Sequence, residues 1–208
     1  MFDSGIKASK LIEQIKSEAD IAPDITEESY IQWLNAVEQL LYSEVIQEQK
    51  TYTYSTDSPL IKTKPSPWSS IVCDLPASNG EARVRFEDLH AVFVGDMQLI
   101  KTTLTSGHVF PNSYYKVDNQ LGIHLGEEMN GIKVIYKVRP VPKTEATYGD
   151  LNVMVPTEFI DLVKAKLRGE AYKVANEDDV AAKWLNDYNV LLETFKLWLS
   201  EKQPTFGM

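Results

Sequence analysis

The stretch VPTEFIDLVKAKLRGEAYKVANEDDVAAKWLNDYNVLLETFKLWLSEKQ, residues 155–203, carries two long amphipathic patterns with one sharp break. Phe159, Leu162, Val163, Leu167, Ala171 and Val174 recur at helical steps and form one apolar stripe. Val180, Trp184, Leu185, Tyr188, Leu191, Leu192, Phe195, Trp198 and Leu199 form a second. Pro156 suits a first helical position, where its missing N–H costs nothing. Glu158 and Asp161 then place negative charge against the positive end of the helix dipole. Gly169 costs about 1 kcal/mol against Ala in a helix interior, which points to close packing there. Asn176 suits the N-cap of the next helix, with Glu177, Asp178 and Asp179 in its first turn. Each helix spans about 20 residues, or roughly 30 Å. So short a break predicts antiparallel neighbours, a helical hairpin. Pro204 ends the pattern.

Working outward, the first fifty residues are also helical in pattern. Ala8–Ala19 is a short helix with Leu11, Ile12 and Ile15 on one side, ended by Asp20–Asp24 with Pro23. Thr26 is a good N-cap with Glu27 and Glu28 behind it. Tyr30, Trp33, Leu34, Val37, Leu40, Leu41, Val45 and Ile46 keep helical spacing to about Glu48.

The hundred residues between read as strands and turns. Thr51–Ser55 alternates as TYTYS, with its threonines outward. Leu60–Pro67 is an edge or loop. Trp68–Leu75, Arg83–Phe86, Leu89–Val94, Met97–Lys101, Tyr114–Val117, Leu121–Leu125 and Ile132–Arg139 follow as strands. Gly95-Asp96 suits a type II′ hairpin, and Asn130-Gly131 is a strong turn signal. Strands about ten residues apart predict an antiparallel sandwich or barrel. The expected fold class is therefore α+β. Residues 1–50 and 151–208 form one helical bundle, and residues 51–150 form a β domain inserted in it. Two domains in series would leave the N-terminal helices unpartnered.

Bulk properties narrow the function. A chain of 208 residues can bury roughly 70 % of its unfolded surface. The single cysteine, Cys73, excludes an internal disulfide framework and fits a reducing compartment. No run approaches the length of a membrane span, and MFDSGIKASK lacks a signal-peptide core. The net charge of −9 is uneven: residues 1–50 hold 4 Lys/Arg against 10 Asp/Glu. Residues 51–150 hold 10 against 11, and residues 151–208 hold 7 against 9. Tight wrapping of nucleic acid needs clustered cations, which this distribution lacks. The acidity serves solubility, or makes a surface that a passing polyanion does not stick to.

The search for chemistry returns little. There is no phosphate-binding glycine loop, no G-x-S-x-G, no H-E-x-x-H and no paired cysteines. His90, His108 and His124 all fall in the β region. They are either unrelated histidines or a metal set assembled by strands. Cys73 reads as a small core residue before a nucleophile. Glu87-Asp88 and Glu127-Glu128 flank turns, where solvation explains them better than a hydrolytic carboxylate pair. Trp33, Trp184 and Trp198 sit at packing positions. Trp68, Tyr114 and Tyr115 are less determined and are candidates for an exposed sheet face that contacts a partner.

Several stretches together resemble the adaptor (head–tail connector) proteins of tailed bacteriophages. They are IEQIKSEADI…ESYIQWLNAVEQLLYSEVI, then RFEDLHAVFVGDMQLIK…YYKVDNQLGIHL…GIKVIYKVRPVP, and most clearly residues 155–198. The resemblance covers most of the chain, diffusely. It implies a virion protein, made in the host cytoplasm, that forms a homo-oligomeric ring of twelve. The ring would dock between the portal protein and the tail proteins and form part of the DNA conduit. DNA would pass without sequence-specific binding, and no membrane, cofactor, metal or catalytic residue is involved. It also implies a portal-docking tail: Glu201, Lys202, Gln203, Pro204, Thr205, Phe206, Gly207 and Met208, with Phe206 as anchor. The alternative readings are a non-catalytic β-sandwich module binding sugar or protein on a helical scaffold, or another tail component.

Overall fold

The computed structural model describes residues 2–18, 25–54, 60–61, 70–74, 88–102, 111–117, 120–124 and 131–202. The fold is α+β, with a C-terminal helical hairpin. It divides into two compact units. Residues 1–46 and 142–208 make a helical unit, and residues 47–141 make a β unit. The two ends of the chain thus share one bundle and the β unit interrupts it. Its first boundary lies four residues earlier, and its last nine residues earlier, than strand patterning predicts. Residues 142–150 belong to the helices because Lys143 and the turns after it pack on α2, as described below.

In the helical unit, α1 spans Ala8–Glu18 and α2 spans Glu27–Leu40. Thr26 caps α2 as expected, its hydroxyl accepting from the Ser29 amide at 3.2 Å. The α-helix stops at Leu40 rather than near Glu48. A π-helical segment, Leu41–Ile46, replaces its last turns and buries Leu41, Tyr42 and Ile46. The wider turn re-registers the apolar side chains. It also brings in Tyr42, fully buried, whose hydroxyl accepts the Phe2 amide at 3.0 Å. Gln47 then leaves the helix in the left-handed region, φ +48°.

Helix α3 (Ile160–Val174) follows a 3-10 turn, Thr157–Phe159. Pro156 therefore stands before that turn in extended conformation, φ −59° and ψ 145°, not at a first helical position. Helix α4 runs over Asp178–Lys202. The break between them is a C-cap. Asn176 has φ +59°, its amide donates to the Lys173 carbonyl, and the Glu177 amide donates to the Tyr172 carbonyl. That pair of bonds is a Schellman motif with Asn at the left-handed position. Asn176 thus ends α3 rather than starting α4. Val174, expected in the stripe, is exposed because the helix turns it outward just before the cap.

The hairpin is antiparallel. Phe159 meets Phe195 and Trp198, with ring centroids 4.7 and 5.3 Å apart. Further along, Lys166 lies over the Tyr188 ring and Arg168 stacks at 4.6 Å over Trp184. At Gly169 the helices approach closely: a Cβ there would fall 2.7 Å from Leu185 Cδ2. Helices α1 and α2 pack on α3 and on each other, which completes the bundle. The N-terminal stretch is tied to the segment entering α3. Ser4 donates to the Val153 carbonyl, Val153 to Ile6, and Ala8 to Leu151.

In the β unit, β1 (Gln49–Tyr54), β3 (Leu89–Val94), β4 (Met97–Gln98) and β8 (Ile132–Lys137) form one sheet, ordered β1-β8-β3-β4. The other is β2 (Ser70–Asp74), β5 (Ile100–Lys101), β6 (Ser113–Val117) and β7 (Gln120–His124), ordered β2-β7-β6-β5. The chain changes sheet at buried Leu99, so Met97–Lys101 is two short strands, not one. Consequently β5 lies parallel to β6, where only antiparallel neighbours were expected. Tyr54, Val92, Val94, Ile132 and Val134 from the first sheet share one apolar core with Tyr114, Leu121 and Ile123 from the second. Thr51 and Thr53 point outward as their alternation predicts. Gly95 opens the β3–β4 turn at φ +58°, with Asp96 at ordinary φ, as a type II′ turn requires. The predicted strand Arg83–Phe86 and the edge or loop Leu60–Pro67 fall outside the described residues, apart from Leu60 and Ile61.

Candidate functional site

Of the residues singled out from sequence, Tyr115 and His124 meet, and several others lie outside the described residues. Trp68, His108, Glu87, Glu127 and Glu128 lie outside the described residues. Asp88 is buried and holds Arg139, whose Nε donates to Oδ1 at 2.9 Å, tying the start of β3 to the end of β8. Its role is structural. Cys73 is paired through its backbone with Leu121. His90 is exposed and His124 is buried. Among the described residues no three His, Cys, Asp or Glu side chains gather as metal ligands do.

The two tyrosines do not form an exposed face. Tyr114 is 5 % exposed and belongs to the sandwich core. Tyr115, on the other face, is 9 % exposed. It lies flat over Gly122, its register partner, where an added Cβ would come within 2.4 Å of the ring. Its ring also stacks on His124, with centroids 4.8 Å apart. Burial pushes the His124 imidazole below its usual value. The signal that sequence reading missed was Gly122, a strand glycine two residues from a histidine and opposite an aromatic.

A second missed feature lies in the helical unit. Glu38 sits on the apolar stripe of α2, four residues after Leu34, and is 1 % exposed. Its Oε2 accepts from Lys143 Nζ at 2.5 Å, and its Oε1 accepts the Met154 amide at 2.8 Å. Asn35, one turn earlier, exchanges two hydrogen bonds of 2.8 Å with the Lys143 backbone. Burial raises the Glu38 carboxyl, opposed by the Lys143 charge and the two hydrogen bonds. A charge in the middle of an apolar stripe was the available clue. The four groups satisfy one another, so they form a latch on the segment that returns from the β unit.

A further surface lies on the hairpin. A groove of about 490 Å³ opens between α3 and α4, lined by Asp161, Lys164, Arg168, Trp184, Asp187 and Val190 among others. Lys164 is held by Asp161 at 3.5 Å. Beside the groove, Val190 and Leu197 are 60 % and 66 % exposed. Helix α4 carries on to Glu201 and Lys202, with Lys202 Nζ 5.6 Å over the Trp198 ring. Of the proposed docking tail, only these two residues are described; Gln203–Met208, including Phe206, lie outside.

Charge separates the two units. The β unit holds ten Lys/Arg and ten Asp/Glu, so the whole net charge of −9 falls on the helical unit. Glu13, Glu27 and Glu28 are exposed there. Glu27 accepts from Tyr148 Oη at 2.8 Å, which raises that phenol. No helix is long and apolar enough to cross a membrane, among the described residues.

No protein-family model matches the sequence, and no curated protein matches it.

Proposed function

We propose that the chain is a virion structural protein, an adaptor ring that docks on the portal and joins it to the tail. The observation that carries this reading is the arrangement of the chain. A helical bundle is built from both termini and a two-sheet β unit is inserted in it. That is the arrangement implied by the resemblance of residues 155–198 and their companions to phage connector proteins. The charge distribution supports it. An acidic helical unit repels phosphates, so DNA passes a wall made of it without sticking. The role asks for no catalysis: the subunit contributes shape, charge and contacts. The portal-facing element is the end of α4 with the residues after it, Glu201–Met208.

The test is to mix the purified chain with the portal protein encoded in the same genome and image the mixture by electron microscopy. The expected result is a second ring stacked on the portal, lost when Glu201–Met208 is deleted. A ring that survives the deletion keeps the role and rejects the tail. No association rejects the adaptor role.

A further inference from the structure

We infer that the outer edge of β1 is a self-association site, to which a second copy of the chain adds its own β1, antiparallel across a two-fold axis. Strand β1 ends its sheet, with β8 on one side. Two bonds fix the direction of its backbone groups. The Val138 amide donates to the Glu48 carbonyl at 2.8 Å, so in the antiparallel ladder Lys50, Tyr52 and Tyr54 turn their N–H and C=O groups toward β8. The Gly95 amide donates to the Gly131 carbonyl at 3.1 Å, which turns Lys133 and Ile135 toward β3 and sets the same alternation from the far side of β8. Gln49, Thr51 and Thr53 therefore turn their backbone groups away from the sheet. All three residues are exposed, and among the described residues nothing bonds to those groups. Free edges are commonly guarded by proline, a bulge or extreme shortness. Strand β1 is six residues long, holds no proline and meets β8 without a register shift. By contrast β4 and β5, at the other ends of the two sheets, are two residues each.

A row of unpaired amides and carbonyls is satisfied by another extended backbone. The row on β1 is its own complement. Antiparallel pairing centred on Thr51 sets Thr51 opposite Thr51, and Gln49 opposite Thr53 at both ends. Every outward residue then meets an outward residue, and each such pair exchanges two hydrogen bonds. The other registers lose this match. A slip of one residue sets outward groups against groups already bonded to β8. Centring on Lys50 puts the two ammonium groups opposite each other, and centring on Tyr52 leaves Gln49 beyond the partner strand. Parallel pairing in register brings Lys50 beside Lys50 as well. In the Thr51 register the outer face carries a threonine pair, a favourable cross-strand combination. On the other face Lys50 stands opposite Tyr52, and the two Lys50 lie on the diagonal, two positions apart. Two-fold symmetry makes each off-centre contact twice. The contact is small, which sets it among weak, concentration-dependent dimers. It involves only the β unit and stands whether or not the chain docks on a portal.

Sedimentation equilibrium of the full chain tests this, and the expected result is a reversible dimer. Thr51→Pro deletes the amide at the two-fold axis, which bonds nothing among the described residues. Proline is tolerated at such an edge position, so the circular dichroism spectrum and the cooperative melt persist while association weakens about tenfold or more. Thr51→Lys leaves the backbone intact, sets two lysines opposite each other and weakens association to a similar degree. Direction is read by disulfide trapping in a Cys73→Ser background. Paired residues that exchange hydrogen bonds have Cα atoms about 5.5 Å apart, within disulfide reach. Chains carrying Gln49→Cys cross-link to chains carrying Thr53→Cys, and neither cross-links to itself. A monomer up to roughly millimolar concentration, or a dimer indifferent to Thr51→Lys, overturns the inference. So does a Gln49→Cys homodisulfide, which reports the parallel pairing.

Discussion

Three residues carry testable energetic claims. Glu38 and Lys143 are fully buried and hold each other. Removing one partner leaves the other charged in the core, so Glu38→Ala or Lys143→Met alone costs about 3–5 kcal/mol. Replacing both by methionine is close to neutral, or stabilising by about 1–4 kcal/mol, because the desolvation of two charges disappears with them. Urea titrations of the single and double variants check this. A double variant as damaged as either single one contradicts it. His124 makes a pH prediction. Its folded-state pKa is depressed by burial, so protonation favours the unfolded chain. Its contribution is present above the ordinary histidine value, 6.5, and is lost as pH falls through the folded value. His124→Gln is therefore expected to flatten the loss of β-unit stability on mild acidification, followed by thermal melts from neutral pH downward. Sequence reading placed Glu38 and His124 in their elements, but it put Lys143 in the β domain and showed none of their contacts. Lys143 lies more than a hundred positions from Glu38, and nothing local marks their pairing.

At the scale of elements, legibility followed periodicity. The α3–α4 hairpin, α1 and the Thr26 cap were readable because each rests on local chemistry: a stripe, a capping hydroxyl, a dipole. Gly169 was readable as a close-packing point, and it touches Leu185. Gly169→Leu is expected to cost about 1–3 kcal/mol through overpacking, measured by chemical denaturation, although leucine is the better helix former. Asn176 was misread because Asn suits both an N-cap and a left-handed C′ position; which it takes depends on where the preceding helix ends. Its φ of +59° predicts that Asn176→Gly is tolerated and Asn176→Ala costs about 1 kcal/mol. Thermal denaturation compares the two, and equal stabilities would contradict the C-cap assignment. The π-helical segment was invisible because a widened turn changes hydrogen bonding without changing composition. The sheet change at Leu99 was hidden for another reason: two strands of two residues each give no alternation to read.

For the whole molecule, the order helix, sheet, helix specified an inserted β unit, and the bundle joins both chain ends as that order requires. The proposed function rests on the resemblance; the described groups Glu38 and Lys143 form a latch, and Tyr115 and His124 a stack. The separation of charge gives the molecular account a further consequence. With its net charge of −9 on the helical unit, the chain is expected not to retain duplex DNA even at low salt, as a mobility-shift assay would show. Retention that weakens steeply with added salt would mean that a basic face dominates after all. The most direct test of the adaptor role is to locate the protein in mature particles, by immunogold labelling of purified virions. Label at the junction of head and tail, with several copies per particle, is the predicted result. Virions that lack the protein, or carry it only on the head shell or the distal tail, would contradict the adaptor role.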